Sequence, residues 1–349
     1  MKNPFDFLSR KEPVLFAILI ALLLFGAFLS LTSGSWEITP TRVFKILVGK
    51  SGLFSGPINS IESSIVWDGR MPRLIVAFLV GFSLAVAGTI MQGIFKNPMA
   101  SPGVIGISSG AALGAVIAIH LGLAARFLFA VPLFAVTAAL LTLILVFAIA
   151  TSGGHTSIST LLLAGIAMNM ILGALTSFVI MISTREFDVG RVVVTWLMGD
   201  LNNRCWEHVR IVLVTTLVAL PGALFFVKDL NLLMLDEETA TNLGVNVKVA
   251  RNALLSFSSL LTGGAIAVSG VIGFVGLIAP HIVRGLIGVD NRKLIPAAGL
   301  LGAVFVIYAD LFVRLVVRVD LKIGILTSLM GGPFFIYLLV KHRKRFEYL

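Results

Sequence analysis

One short stretch, Gly49-Lys50-Ser51, has the ending of a phosphate-binding loop, the glycine-rich turn that holds nucleotide phosphates. Such a loop needs another glycine five residues before the second one, and Phe44 stands at that position. No other stretch of the sequence fits the pattern. We therefore predict that this chain does not hydrolyse ATP by that mechanism.

Residues that bind metals or act as nucleophiles are equally sparse. The single cysteine, Cys205, excludes a disulfide framework and a thiolate metal cluster. No acidic residue lies in the middle of an apolar segment, where it would relay protons. The histidines lack the spacing of metal ligands: His120, His155, His208, His281 and His342. We predict no catalytic residue, no metal site and no cofactor in this chain.

The composition decides the class of protein. Hydrophobic residues make up 58% of the 349 residues and charged residues only 13%. A chain this apolar does not stay in solution as a globule, so we predict an all-α polytopic membrane protein whose surroundings are the lipid bilayer. The apolar runs are continuous rather than alternating, which excludes a membrane β-barrel. The net charge of +10 is scattered between apolar segments and does not indicate nucleic-acid binding.

About ten apolar segments reach membrane-spanning length, and we predict one transmembrane domain over 1–349, with halves at about 14–183 and 207–340. An even number of spans places both termini on one side. The basic tail directly after the last span predicts that this side is cytoplasmic. The predicted spans are about 14–32, 74–95, 104–124, 127–150, 158–183, 207–227, 253–271, 273–289, 295–313 and 323–340.

Two of these spans resemble each other. Residues 85–90 read AVAGTI and residues 267–272 read AVSGVI, at an offset of 182 that also relates Gly88 to Gly270 and Pro98 to Pro280. The two spans are five crossings apart, so they run in opposite directions. This pattern predicts an inverted internal repeat, which is typical of transporters.

The second copy of this motif lies in an unusually glycine-rich stretch, 263–293. Small residues let helix backbones approach closely, and Pro280 removes a backbone donor and is expected to break the helix. We expect helix breaks or close packing at six positions: Gly88, Pro98, Gly270, Gly273, Gly276 and Pro280. A broken helix borders a cavity, since its freed backbone groups need partners. The alternative is a packing seam with no pathway.

Other polar and small residues inside spans have two interpretations. The third span carries Gly106, Gly110 and Gly114, a ladder that predicts packing against another helix. The fifth span carries Asn169, Thr176 and Ser177, which either face a pathway or satisfy helix–helix hydrogen bonds.

The connection after the sixth span, 228–251, is the most polar one on the predicted cytoplasmic side. Acids at Asp236, Glu237 and Glu238 suit the start of a short helix, and Leu243-Gly244 suits its end. Such an amphipathic element lies in the membrane interface or enters a groove on a partner protein. Its low positive charge favours the protein partner.

Positive charge on the predicted outer side is unusually high. It includes Arg70, Arg73 and Arg314, and the last of these is spaced to pair with Asp310 one helical turn before it. This charge either serves an acidic partner protein or is ordinary loop solvation.

Five stretches carry a resemblance to a known family. They read RMPRLIVAFLVGFSLAVAGTIMQGIFKNPMASPGVIGISSGA (70–111), LDEETATNLGV (235–245), GAIAVSGVIGFVGLIAPHIVRGLIGVDNRKLIP (264–296), ADLFVR (309–314) and GGPFFIYLL (331–339). Together they resemble the iron–siderophore, haem and vitamin B12 permeases, the membrane subunits of type II ATP-binding cassette importers.

The resemblance implies ten spans, a dimer of permeases, two cytoplasmic ATPase subunits that use ATP, and an external substrate-binding protein. It implies that 228–251 couples to the ATPase through Asp236, Glu237, Glu238, Leu243 and Gly244. It also implies that Arg70, Arg73 and Arg314 dock the binding protein, and that spans five and ten line the pathway. The location implied is a bacterial or archaeal cytoplasmic (inner) membrane.

The resemblance is incomplete, and two other functions stay open. Asn291 stands where the family usually has histidine, and Lys322 stands where it usually has proline. The alternatives to an importer permease are an ion-coupled secondary transporter that needs no ATPase and a structural scaffold. For the importer, a ferric siderophore is the first expected substrate, followed by cobalamin or haem.

Overall fold

We describe a computed structural model of the chain at residues 6–34, 36–50, 59–152, 155–184, 187–316 and 321–346. The basic tail used above for orientation, together with Lys2, Ser51, Arg185, Arg318 and Asp320, lies outside the side chains described.

The described part of the chain is almost entirely helical. In its first half the elements are α1 (Asp6–Thr32), α2 (Pro40–Lys50), α3 (Ser60–Ser64), a π-helical turn (Ile65–Arg70), α4 (Met71–Ile94), α5 (Ile107–His120), α6 (Leu123–Arg126), α7 (Ala130–Ala150), β1 (Thr151–Ser152), β2 (His155–Thr156), α8 (Ile158–Ser183) and α9 (Phe187–Leu197). In its second half they are α10 (Trp206–Phe225), α11 (Val227–Leu235), α12 (Glu237–Asn242), α13 (Val247–Ser269), α14 (Val275–Ile287), α15 (Asn291–Leu315) and α16 (Ile323–Phe346).

The predicted spans correspond to ten of these helices. Eight are long and apolar enough to cross a membrane, namely α1, α4, α7, α8, α10, α13, α15 and α16, and α4 continues an apolar helical run that begins at Ser60. Two shorter apolar helices, α5 and α14, correspond to the predicted third and eighth spans. The prediction of an all-α polytopic protein is confirmed, and α8 has the predicted bounds, 158–183.

Three long helices form the centre of the bundle. The most apolar windows of α4, α13 and α15 are 78%, 72% and 72% buried, whereas that of α8 is only 17% buried. Glycines bring the central backbones together: a Cβ atom on Gly81 would overlap the carbonyl oxygen of Gly302. In a membrane the hydrophobic effect does not drive helices together, so close backbone approach and the van der Waals contacts that it allows stabilise the bundle. The bundle therefore has a closely packed centre and an apolar periphery.

The ladder in the third span packs as predicted. A Cβ atom on Gly114 of α5 would overlap the carbonyl oxygen of Phe134 in α7, and one on Gly110 would overlap the hydroxyl of Thr142. The ladder is thus the contact face between α5 and α7.

Helix contacts in the two halves follow the same scheme. In the first half, α4 packs on α15 and α14, and α5 packs on α7. The helices five crossings later repeat this pattern: α13 packs on α7 and α5, and α14 packs on α15. The scheme is the one expected of an internal repeat, while the bounds of the halves, 14–183 and 207–340, stay a prediction.

Candidate functional site

The helical break in the glycine-rich stretch lies at residues 270–274, between α13 and α14. Gly270 ends α13 with a φ of +68°, in the left-handed region that glycine adopts readily. Phe274 precedes α14 with a φ of +66°, which is uncommon for a bulky residue. The break is therefore built from one permissive residue and one strained residue.

The prediction that Pro280 breaks the helix is wrong. Pro280 lies inside α14, whose helix continues to Ile287. A proline in a helix leaves the carbonyl four residues earlier without its donor, and that carbonyl belongs to Gly276. The side-chain amide of Gln92 lies 3.4 Å from this oxygen and 3.3 Å from the oxygen of Leu277. A donor from α4 thus replaces the one that proline lacks, and the helix persists.

The other predicted break and packing positions divide into two groups. Gly88 lies inside α4, where a Cβ atom would overlap the carbonyl oxygen of Gly276, so both residues serve packing. Pro98 lies in the non-helical link between α4 and α5, and Gly273 lies in the 270–274 break. The repeat-related residues Gly88 and Gly270 therefore have different conformations.

The two non-helical links face each other across a cavity of about 280 Å³. Ser101, Gly103 and Ser108 line it from the first link and the start of α5, and Gly273 and Phe274 line it from the second. The expectation that broken helices border a cavity is met here.

Polar side chains of α8 satisfy helix contacts in this structure. Asn169 donates to the carbonyl oxygen of Gly103 at 2.7 Å and accepts from the hydroxyl of Ser109 at 2.6 Å. Thr176 and Ser177 donate to carbonyl oxygens one turn earlier in α8. Asn169 therefore ties α8 to the link beside the cavity.

At one end of the bundle, the predicted 228–251 element folds into α11, α12 and the start of α13. The carboxylate of Asp236 caps α12 by accepting from the N–H of Thr239 at 3.1 Å, and this hydrogen bond holds the pKa of Asp236 below its usual range. Gly244 follows the helix with a φ of +86°. The predicted start and end of the short helix are confirmed.

Leucines around α12 do not share one face. Leu233 is buried, whereas Leu235 and Leu243 are 67% and 62% exposed. The exposed pair flanks α12 on either side. A short helix with two exposed leucines, standing between two membrane-length helices, presents an apolar surface at this end of the bundle.

Arg251 of α13 holds α12 in place through two contacts. Its guanidinium forms an ion pair with Glu237 and donates to the carbonyl oxygen of Thr156 at 2.8 Å. Thr156 belongs to β2, the two-residue strand before α8, where it pairs with Thr151 of β1. A buried arginine side chain, 6% exposed, therefore connects α12 to the beginning of α8. A groove of about 700 Å³ runs beside this connection.

At the opposite end of the bundle, two of the three predicted docking arginines bind the region around the end of α1. Arg70 is buried and donates to the carbonyl oxygens of Leu31 and Trp36. Arg314 donates to the carbonyl oxygen and the hydroxyl of Ser30, at 3.1 and 3.3 Å.

The third arginine, Arg73, forms the ion pair that was predicted for Arg314. Its Nη2 lies 2.6 Å from the Oδ1 of Asp310, and its Nη1 donates to the Oδ1 of Asn202 at 2.7 Å. The predicted pairing of Asp310 with Arg314 is wrong, because α4 packs along α15 and offers a bidentate partner. Only 16% of the Arg73 side chain is exposed.

A second buried ion pair lies beside this one and was missed by sequence reasoning. The ammonium of Lys322, just before α16, lies 2.8 Å from the Oδ2 of Asp200. Burial raises the pKa of Asp200, but the hydrogen bonds from Lys322 and from the N–H of Asn202 outweigh it and hold the pKa below its usual range. The sequence carried one sign of this ion pair: a charged residue, Lys322, stands where the family usually has proline.

Within the described residues, no group of three or more histidine, cysteine, aspartate or glutamate side chains is arranged to hold a metal ion. The features of interest are the break, the cavity, the α12 element and the two buried ion pairs.

Comparisons with known proteins agree with this description. The FecCD transport family model matches residues 22–341. The cobalamin import system permease protein BtuC of Halobacterium salinarum is 42% identical over 275 residues, 79% of this chain and 73% of that protein. The hemin transport system permease protein HmuU of Yersinia pestis is 42% identical over 289 residues, 79% of this chain and 83% of that protein.

Among solved structures, one described as an inward-facing conformation of a putative metal-chelate type ABC transporter superposes with a TM-score of 0.82. It is 32% identical and covers 94% of this chain and 99% of that one. The family match spans nearly all of the membrane helices described above. This chain therefore belongs to the FecCD transport family.

Proposed function

We propose that this chain is the membrane-spanning subunit of an ATP-binding cassette importer that moves a large metal chelate across the cytoplasmic (inner) membrane, with both termini in the cytoplasm. The observation that carries the proposal is α12, a capped short helix with exposed leucines on either side. An element of this kind between two spans is suited to enter a groove on a partner protein.

On the cytoplasmic side, α12 docks on a separate ATPase, of which the importer has two copies. Asp236 caps the helix, Glu237 ties it to Arg251, and Gly244 ends it, so these residues shape the docking element. Glu238 and Leu243 offer the partner a charge and an apolar contact. The chain itself is non-catalytic, and ATP acts in the partner subunit.

A second copy of this chain covers the apolar faces of α8 and α16. The most apolar windows of these helices are 17% and 28% buried. In α16, Leu329 and Ile336 are exposed by more than 60%, and in α8 Leu163 and Met170 are exposed by more than 65%. Two copies that meet here enclose a pathway between them, which agrees with the expected role of spans five and ten.

On the outer side, a substrate-binding protein docks near Arg70, Arg73 and Arg314. Because all three guanidinium groups bind partners within the chain, they act by shaping the docking surface as well as by their charge. Arg73 is connected through Asn202 to the loop before α10, and Arg70 is connected through Trp36 to the link between α1 and α2.

For the substrate, the names of the relatives favour a tetrapyrrole-like metal chelate. Those at 42% identity are named for cobalamin and hemin import, so we place a corrinoid or haem before a ferric siderophore. The metal travels as cargo inside its chelator, and no metal ligand is needed in this chain.

The first experiment is purification of the tagged protein from its native cells in mild detergent, followed by mass spectrometry and transport assays. An ATPase with a phosphate-binding loop in equal stoichiometry, and ATP-dependent uptake of cobalamin or haem by the reconstituted complex, are expected. Uptake by the chain alone, driven by an ion gradient without ATP, would overturn the proposal in favour of a secondary transporter. Family membership already favours the importer over that alternative.

A further inference from the structure

Residues 196–202, which are the end of α9 and the first part of the link to α10, lie between the 270–274 break and the start of α16. We call this segment the wedge. The N–H of Asp200 donates to the carbonyl oxygen of Ser269 at 2.8 Å, and the carbonyl oxygen of Gly199 accepts from Gly324 at 3.4 Å. The wedge therefore contacts the last residue of α13 and the first turn of α16 at the same time.

Three glycines allow these backbones to meet. A Cβ atom on Gly199 would meet the carbonyl oxygen of Val271 at 2.5 Å, and one on Gly270 would overlap the carbonyl oxygen of Trp196. A Cβ atom on Gly324 would overlap the carbonyl oxygen of Met198. The wedge, the break and α16 thus form one contact with no room for a side chain.

Charged side chains fasten this contact from both sides. The Asp200–Lys322 ion pair joins the wedge to α16, with side chains only 15% and 8% exposed. Asn202 joins the wedge to α4 through Arg73, which itself binds Asp310 of α15. Removing one partner of a buried pair is costly because the remaining buried charge loses that partner's compensation. The Asp200–Lys322 pair is the side-chain connection between the wedge and the start of α16.

We propose that Asp200 and Lys322 are positioning residues for transport, which hold the start of α16 against the 270–274 break. The proposal rests on the proposed function, because it assigns transport to α16 as a pathway helix. It concerns the end of the helical bundle that lies opposite α12.

The single cysteine of the chain is a built-in reporter for this contact. Cys205 lies three residues after the wedge, half-buried, with its Sγ 2.9 Å from the Nδ1 of His208. Burial raises the pKa of the Cys205 thiol, which slows its reaction with maleimide. Because Cys205 follows the wedge directly in the chain, we expect separation of the wedge from its neighbours to loosen this segment, so that the thiol becomes more accessible and reacts faster.

The experiment measures the rate of maleimide labelling at Cys205 in the full-length chain in nanodiscs. We expect Cys205 to label at least about tenfold faster in Lys322→Met and in Asp200→Asn. This factor is smaller than the change in equilibrium that loss of one partner of a buried ion pair usually causes. Lys322→Arg and the exchange Asp200→Lys with Lys322→Asp should return towards the wild-type rate. Arg42→Met, which breaks the Arg42–Glu62 ion pair elsewhere in the chain, is the control and should not change it.

If the Lys322→Met and Asp200→Asn variants fold and label at the wild-type rate, the ion pair does not hold α16 against the break and the proposal is overturned. Faster labelling with an unchanged ratio of substrate transported to ATP hydrolysed, in the importer complex, would overturn the role in transport. A loss of this ratio in Lys322→Met, with rescue by Lys322→Arg, is the expected result. The labelling needs no ATPase, so it remains interpretable even if the importer assignment fails.

Discussion

The side chain of Gln92 supplies the hydrogen bond that Pro280 cannot make. Gln92 lies in α4 and Pro280 in α14, and the two meet at the carbonyl oxygen of Gly276. The amide of Gln92 is buried, so no water competes for this position. The helix after the break is consequently stabilised from outside itself.

Replacing Gln92 by leucine should destabilise the protein. The carbonyl of Gly276 would be left without a partner, at a cost of about 1–3 kcal/mol in the free energy of unfolding. Thermal unfolding in detergent measures the change. Thr89→Val is the matched control, because buried Thr89 binds only its own helix. Equal melting temperatures for Gln92→Leu and wild type would contradict this role.

Replacing Gly88 by alanine should be more damaging. The new methyl group would overlap the backbone of Gly276, and overpacking of this kind costs about 3 kcal/mol or separates the two helices. The yield of folded protein on gel filtration and its melting temperature report the effect. Gly285→Ala, in α14 but with open space at the Cβ position, should behave as wild type. A stable, fully active Gly88→Ala variant would show that this packing is dispensable.

Arg251→Met should uncouple ATP hydrolysis from transport. The substitution removes the connection from α12 through Thr156 to the beginning of α8 while leaving the exposed leucines in place. Substrate transported per ATP hydrolysed by the importer complex should fall at least about fivefold, the lower end of typical coupling between sites. Glu237→Gln should weaken coupling less, because Arg251 keeps its hydrogen bond to Thr156.

The control for this experiment is Lys293→Met, which breaks the Lys293–Glu12 ion pair outside the α12 connection. It should leave the transport ratio unchanged. A proportional loss of hydrolysis and transport in Arg251→Met would instead indicate failed assembly.

Substitutions at Asp310 and Arg73 should separate the structural role of Arg73 from a docking role. In Asp310→Asn, loss of the carboxylate, which is 3% exposed, leaves Arg73 buried without its charge partner and should cost about 3–5 kcal/mol of stability. Arg73→Met combined with Asp310→Leu should recover part of this stability. If Arg73 also serves docking, the double variant still binds the substrate-binding protein more weakly than wild type in surface plasmon resonance. Wild-type affinity would limit Arg73 to a structural role.

Much of the fold was predictable from local sequence. Continuous apolar runs predicted the membrane helices, and the GxxxG spacing of α5 predicted its contact with α7. The start and end of α12 followed from residues within ten positions of each other. These features depend on neighbours in sequence, so periodicity and capping rules apply to them directly.

The features that were missed depend on distant residues. The carbonyl oxygen that Pro280 leaves without a donor is met by Gln92, which lies 188 residues before the proline. Asp310 pairs with Arg73 because α4 packs along α15. The partner of Lys322 is likewise in another loop. Charge pairing and donor replacement across helices follow from tertiary packing, which no local pattern contains.

The glycine contacts at the centre of the bundle have a consequence for how such permeases diversify. Gly81, Gly88, Gly276 and Gly302 join α4 to α14 and α15 through backbone atoms, whose chemistry is the same whatever cargo is carried. The faces of α8 and α16, where two copies of the chain are proposed to enclose the pathway, lie outside this joint. Substrate preference can therefore change, by evolution or by engineering, through side-chain substitutions on α8 and α16. The glycine contacts among α4, α14 and α15 stay the same when these substitutions occur.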